Sequence, residues 1–260
     1  MTNKDSLEAK FISEVGRDAW DSNWKSVLNL SPELFDASIN LLAAPRRKKH
    51  LSPKVQQLVS IAVDSAATHL YLPGVKQHIA QALKEGATQM EIMEVIELTS
   101  TLGIHACNIG VPLLVDVMKE AGIYDSHPVA GKPLDAHREQ LKAEFTKNRG
   151  YWHQFWEDFL AMDPEFFEAY LGFSSVPWSR VNDQNKVGGL EPKVKELIYC
   201  AFDVAATHLY VPGLRLHMKN VLGYGGTPEE ILEVFEIASQ LSLHTAHSAA
   251  PILEQLAGAK

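Results

Sequence analysis

Three histidines recur at matched positions in two parts of the chain: His69, His78 and His105, and, 139 residues further on, His208, His217 and His244. Asp64 and Asp203 precede the first histidine of each set, and Tyr71 and Tyr210 follow it by two residues. Imidazole titrates near neutrality, so it can move a proton, hold a substrate oxygen or bind a metal ion. A tyrosine hydroxyl beside it can donate to a developing oxyanion. These residue types point to acid–base work on a small molecule, with His78 and His217 as acid/bases and Tyr71 and Tyr210 as oxyanion donors. His69, His105, His208 and His244 would bind or polarise the substrate, and Asp64 and Asp203 would orient an imidazole through its second nitrogen. Two other readings stay open. The three histidines of a set could ligate a divalent metal, although their spacing matches no dedicated motif such as HExxH. They could also cap helix carbonyls or satisfy buried backbone groups, in a non-catalytic binding or scaffold protein. The expectation taken forward is chemistry without a cofactor, with a metal on the histidines as the alternative.

The elements that must position these residues are also duplicated. Residues 51–70 read LSPKVQQLVSIAVDSAATHL and residues 190–209 read LEPKVKELIYCAFDVAATHL. The match runs on through YLPGVKQH against YVPGLRLH and into the next acidic, apolar segment. A repeat of this length sets the architecture. Upstream, Trp20, Trp24, Pro32, Phe35 and Pro45 correspond to Trp152, Trp156, Pro164, Phe167 and Pro177 at a shorter offset of 132, so the second copy carries an insertion of seven residues, placed in the polar stretch 180–189. Gly and Pro cluster over 121–137, which divides the chain into units 1–125 and 126–260.

Apolar residues at spacings of three and four mark residues 53–70 as an amphipathic helix. Pro73 and Gly74 break it and start another over 74–85, closed by Gly86. Thr88 with Glu91 and Thr227 with Glu230 form capping boxes that open the next helices, and a further helix runs from about His105 to Lys119. Helices over 8–30 and 138–161 carry the tryptophans, which read as core or subunit contact. No alternating β-branched run bounded by hairpin turns occurs, so the class is all-α. Glu94, Glu97, Glu233 and Glu236 read as solvated members of a helix surface.

Composition narrows the function classes. A formal charge of −8 offers no basic stripe for phosphates and argues against nucleic acid. The polar start lacks a leader's apolar core, and no run of eighteen apolar residues suggests a membrane span. Cys107 and Cys200 do not correspond across the repeat, which reads as a reduced, cytoplasmic protein without structural disulfides.

The pattern K-x-x-x-L…AA…H followed by G-A-T-x-x-E-I-x-E-V resembles the carboxymuconolactone decarboxylase family, within the alkylhydroperoxidase-D-like superfamily. The resemblance implies two tandem alkylhydroperoxidase-D-like helical repeats and a homo-oligomer, a trimer or another ring. It also implies a small-molecule lyase or isomerase acting on a lactone or keto-acid-like metabolite. The peroxidase branch of the superfamily carries a Cys-x-x-Cys pair where this chain has Tyr71 and Gly74, and Tyr210 and Gly213; without thiols the resemblance implies no peroxidase. The decarboxylase branch often carries a glutamate where this chain has Gly74 and Gly213.

Overall fold

The computed structural model describes residues 4–181 and 189–258, so the insertion expected at 180–189 falls almost wholly outside the described residues. Every regular element among them is helical. The α-helices are α1 (Lys4–Glu14), α2 (Ser22–Leu30), α3 (Pro32–Lys48), α4 (Pro53–Ser65), α5 (Leu72–Lys84), α6 (Gln89–Ser100), α7 (His105–Glu120), α8 (Ala136–Arg149), α9 (Trp156–Met162), α10 (Pro164–Ser175), α11 (Pro192–Val204), α12 (Val211–Gly223), α13 (Pro228–Ser239) and α14 (Leu243–Gly258). The all-α reading and the tandem repeat are both seen: α4, α5 and α6 of the first copy correspond to α11, α12 and α13 of the second.

Local chemistry sets the boundaries. Thr88 and Glu91 exchange hydrogen bonds at the start of α6, and Thr227 and Glu230 do the same at α13, as the capping boxes require. Proline stands in the first turn of α3, α4, α5, α10, α11, α12 and α13, where its missing N–H has no partner to lose. The long tryptophan-bearing helices expected at 8–30 and 138–161 are each broken in two. Gly16, at φ +118°, ends the first run, and Gly150, at φ +75°, ends the second. Helix α5 begins at Leu72, two residues earlier than its sequence suggests, because Tyr71 already serves as its N-cap.

Packing groups the chain differently from the repeat. One compact unit holds Met1–Thr99 with Gly188–Lys260, and the other holds Ser100–Val187. In the larger unit α4 packs on α11, α5 flanks α4, α12 flanks α11, and α13 lies against α3, α4 and α11. Its opening helices enclose Phe11, Trp24, Val27, Phe35 and Ile39, and this cluster is completed by Leu243, Ala246 and Ala250 of α14. In the smaller unit Phe145, Trp156, Phe159, Leu160 and Phe167 form the core, completed by Cys107 and Val111 of α7. The last helix of each copy thus covers the tryptophan helices of the other.

The stretch Gln89–Glu120, spanning α6 and α7, is long and apolar enough by length and composition to cross a membrane, although it contains no unbroken run of eighteen apolar residues. Its apolar content has two local sources. Ile92, Val95 and Leu98 of α6 are core residues, whereas Ile109, Leu113, Leu114 and Val117 of α7 are exposed.

Candidate functional site

Asp64 sits in the last turn of α4, which ends one residue later. The chain then turns sharply: the His69 and Leu70 amides donate to the Ala66 carbonyl, and the Tyr71 amide returns to the Asp64 carbonyl at 2.8 Å. Leu70 takes φ +49° and Leu209 φ +52°, a left-handed conformation that leucine rarely adopts, at the same place in both copies. This turn puts His69 and Tyr71 beside Asp64 and aims the first turns of α5, with His78, back toward α4. Helix α14 adds His244 and His247, three residues apart and so on one face. Asp21 caps α2, accepting from the Asn23 and Trp24 amides.

These groups meet in the larger unit. A cavity of ≈ 100 Å³ is lined by Asp21, Arg46, Asp64, Tyr71, His78, His244 and His247 on its polar side, with Phe11, Trp24 and Leu243 among the apolar residues. His69 Nε2 and His244 Nδ1 share a hydrogen bond of 2.8 Å. His244 also lies flat on the Tyr71 ring, with centroids 3.8 Å apart. His78 Nδ1 is 2.8 Å from Gln57 Oε1. An amide oxygen only accepts, so Nδ1 carries the proton and Nε2 keeps its lone pair. That nitrogen is 3.7 Å from Asp64 Oδ2, and His244 Nδ1 is 3.7 Å from Asp64 Oδ1. Asp64 Oδ2 itself is buried and makes no hydrogen bond. Asp64, His69 and His244 each offer a ligand atom within 4.8 Å of the others, a spacing that could hold a divalent cation.

Burial sets the protonation states. It pushes Asp64 up to about 8, because a carboxylate loses its hydration there. Burial, with the Arg46 charge behind it, pushes His78 down to about 4. Burial and the neighbouring His69, His78 and His247 push His244 down to about 3, and burial lowers His69 as well. Burial is the largest influence raising Tyr71 above its ordinary value, with Asp21 and Asp64 acting in the same sense against Ser248. At neutral pH Asp64 is therefore a neutral carboxylic acid beside the neutral imidazoles of His69, His78 and His244.

Gly74 explains the missing glutamate. A Cβ at residue 74 would lie 2.0 Å from Asp64 Oδ2, and one at Gly213 would lie 2.4 Å from Asp203 Oδ2. A side chain at 74 and the Asp64 carboxyl group in this pose exclude each other. A carboxyl group occupies that place here from α4.

The second copy places Asp203, His208, Tyr210 and His217 in the same compact unit, at the matching ends of α11 and α12, while His105 opens α7 in the other unit. His244, from the second copy, stands beside His69. Burial raises Asp203 to about 8, helped by Glu196, and burial lowers His208. Around His217 the chemistry differs. Glu196 replaces Gln57 and stands 2.6 Å from His217 Nδ1, and Tyr199 replaces Ser60 and stacks on the imidazole at 4.3 Å. At the repeat-related positions of Asp21, Arg46 and His247 stand His153, Trp178 and, in the first copy, Asn108. Asn108 accepts from the Trp156 indole at 2.7 Å.

Two of the carboxylates read as solvated are fully buried. Glu94 accepts from the Leu190 amide and from Lys195 Nζ, while Glu233 accepts from the His50 and Leu51 amides and Gln56 Nε2. Each is fixed by the other copy, so these glutamates tie the repeats together. Sequence reasoning passed over Asp21, Arg46, Gln57 and His247. The available signal was the His-x-x-His pair at 244 and 247, which on a helix shares a face.

A family model for the carboxymuconolactone decarboxylase family matches residues 32–104 and 164–254, once in each copy. Among solved structures, a crystal structure from Burkholderia xenovorans LB400, provisionally named a gamma-carboxymuconolactone decarboxylase subunit, is 45% identical. It covers 98% of this chain and 98% of its own, with a TM-score of 0.89. No curated protein matches the chain. Two family matches over the repeated helices, with this relative along the whole length, make the chain a member of the carboxymuconolactone decarboxylase family.

Proposed function

We propose that the chain is a lyase of the carboxymuconolactone decarboxylase type, acting on a lactone or keto acid at the first-copy cavity. The observation that carries this reading is the Asp64 carboxyl group, buried, without a hydrogen bond at Oδ2, and neutral up to about pH 8. Loss of carbon dioxide leaves an electron pair on carbon that a neighbouring carbonyl takes up as an enolate. Neutral imidazole N–H groups of His69 or His244 stabilise that oxygen, and the Asp64 proton closes the new C–H bond. His78 serves differently from the acid/base role its spacing suggests: its unprotonated Nε2 faces Asp64 Oδ2 across 3.7 Å without a hydrogen bond, which leaves the acid proton to the substrate. Arg46, the cation in the lining, anchors a carboxylate that is not lost. The departing carboxylate lies against Phe11 and Trp24, where poor solvation favours loss of its charge.

The set built on Asp203 and His217 is read as diverged, since the repeat-related counterparts of Asp21, Arg46 and His247 are of other chemical types. The reaction needs no cofactor in this account. The chain also assembles with itself, supported by matching apolar stripes: Leu113, Leu114 and Val117 on α7, and Ile252, Leu253 and Leu256 at the corresponding positions of α14, are all exposed.

Carbon dioxide release from carboxylated γ-lactones and β-keto acids tests the reading. Asp64→Asn is expected to cut turnover at least ~10²-fold, the usual contribution of a positioned acid. Turnover at the wild-type rate in that variant would remove Asp64 from the mechanism. Protein treated with chelator should remain active; activity lost and then restored by a divalent ion would make Asp64, His69 and His244 metal ligands instead.

A further inference from the structure

Tyr71 Oη lies 2.6 Å from His247 Nδ1, and His247 Nε2 lies 3.0 and 3.1 Å from the two oxygens of Asp21. A carboxylate only accepts, so Nε2 carries the imidazole proton and Nδ1 presents a lone pair. Asn23 Nδ2, a donor 3.5 Å from the same Nδ1, agrees with that tautomer. The Tyr71 hydroxyl must then donate to His247, which leaves the phenol oxygen, at the cavity lining and hydrogen-bonded to the Ser248 side chain, as an acceptor. This is the reverse of an oxyanion donor. The order carboxylate–imidazole–hydroxyl is the arrangement by which an enzyme draws a proton off a hydroxyl group and so raises the electron density on its oxygen. Two further contacts hold it still. His247 is buried with its ring edge-on to Trp24 at 5.2 Å, and Tyr71 lies flat on His244.

We infer that Tyr71 is a general base driven by Asp21 and His247, and that the pocket has a second activity: a 1,3-proton shift in a β,γ-unsaturated lactone or keto acid, with no carbon lost. The inference rests on the reading of Asp64 as the acid of the same cavity. The C–H proton beside the carbonyl passes to Tyr71 Oη while the phenol proton crosses to His247 Nδ1, where Asp21 balances the imidazolium. The C–H electron pair enters the dienolate. The far carbon of the dienolate then takes the Asp64 proton, and its π pair becomes the new C–H bond. One proton leaves the substrate and one returns, nothing is oxidised, and transfer from His247 to Asp64 through Tyr71 or water resets the site. Base and acid are thus separate groups with different surroundings, the division that proton-shift chemistry requires. At the repeat-related positions of His247 and Asp21 stand Asn108 and His153, which cannot make a carboxylate–imidazole pair.

The test uses the full-length protein with 5-methyl-2(3H)-furanone, a β,γ-unsaturated γ-lactone, in D2O. Proton NMR should show deuterium entering the carbon beside the carbonyl, and the conjugated isomer forming, faster than in buffer alone. Tyr71→Phe should lower exchange by on the order of 10²-fold. Asp21→Asn keeps the helix cap but cannot balance an imidazolium; it should lower kcat for exchange to a similar degree with KM and melting temperature little changed. Exchange no faster than buffer, or wild-type exchange in Tyr71→Phe, overturns the inference. So does an Asp21→Asn variant that loses stability but keeps kcat, because Asp21 would then be structural only. Carbon dioxide release is a separate readout, so protein that decarboxylates yet exchanges no deuterium overturns this inference and leaves the decarboxylase reading standing.

Discussion

In the folded chain Asp64 keeps its proton up to about pH 8, whereas an unfolded aspartate ionises near 3.8. Between those values the folded state binds the extra proton, so raising the pH favours unfolding. His78 and His244 act in the opposite sense below about 6.5, where the unfolded imidazoles bind protons that the folded ones refuse. The two effects oppose each other under acid conditions and separate above pH 6.5, where the aspartates act alone. Melting temperature should therefore fall between pH 6.5 and 8. Asp64→Asn should recover ~2 kcal/mol of that loss, since each unit is worth ~1.4 kcal/mol. An unchanged pH slope in the variant would show that Asp64 is already ionised at pH 6.5. Asp64, His69, Tyr71 and His78 were legible in the sequence because both copies retain them within one local turn. His247 and Asp21 were not, because comparing two copies finds what they share, and the matching residues Asn108 and His153 differ. His244 was found but assigned to the wrong neighbours, since a repeat offset says nothing about which copy's histidine stands beside His69.

The turn that separates α4 from α5 is held in a conformation its own residue disfavours. A left-handed leucine costs ~1–2 kcal/mol, and Leu70 is 56% exposed, so packing returns little of it. Leu70→Gly should raise stability by about 1 kcal/mol, read as a higher denaturant midpoint at constant m-value. A lower midpoint would mean that the leucine side chain is bound by something the isolated chain does not include. Helix identities and caps were legible because periodicity and capping chemistry are local. The break near Gly16 was missed because apolar residues continue at helical spacing on both sides of it, and that near Gly150 because the aromatic residues beyond it were read as one helix despite Lys147 and Arg149 in the last turn before the glycine. Glu94 and Glu233 were misread for a related reason: the partners that bury them come from the other copy, roughly 100 residues or more away in sequence.

At the scale of the whole molecule, the exposed stripes on α7 and α14 predict self-association. Light scattering with size exclusion should give a mass above that of one 28.8 kDa chain, and Leu113→Lys with Leu253→Lys should return it to one chain with helicity intact. A wild-type monomer would leave both stripes to some other partner. The repeat itself was legible, but its packing was not, because side-chain patterns do not record which helix pairs with which. Helix α14 completes the cluster around Trp24, 219 residues upstream of Leu243. During synthesis at ~5–20 residues per second, the apolar face of α2 would wait for tens of seconds before its cover leaves the ribosome. The nascent chain spends that interval with a tryptophan surface open to chaperones and to neighbouring chains on the same message, so the demand this fold makes on the cell is greatest before the protein is finished.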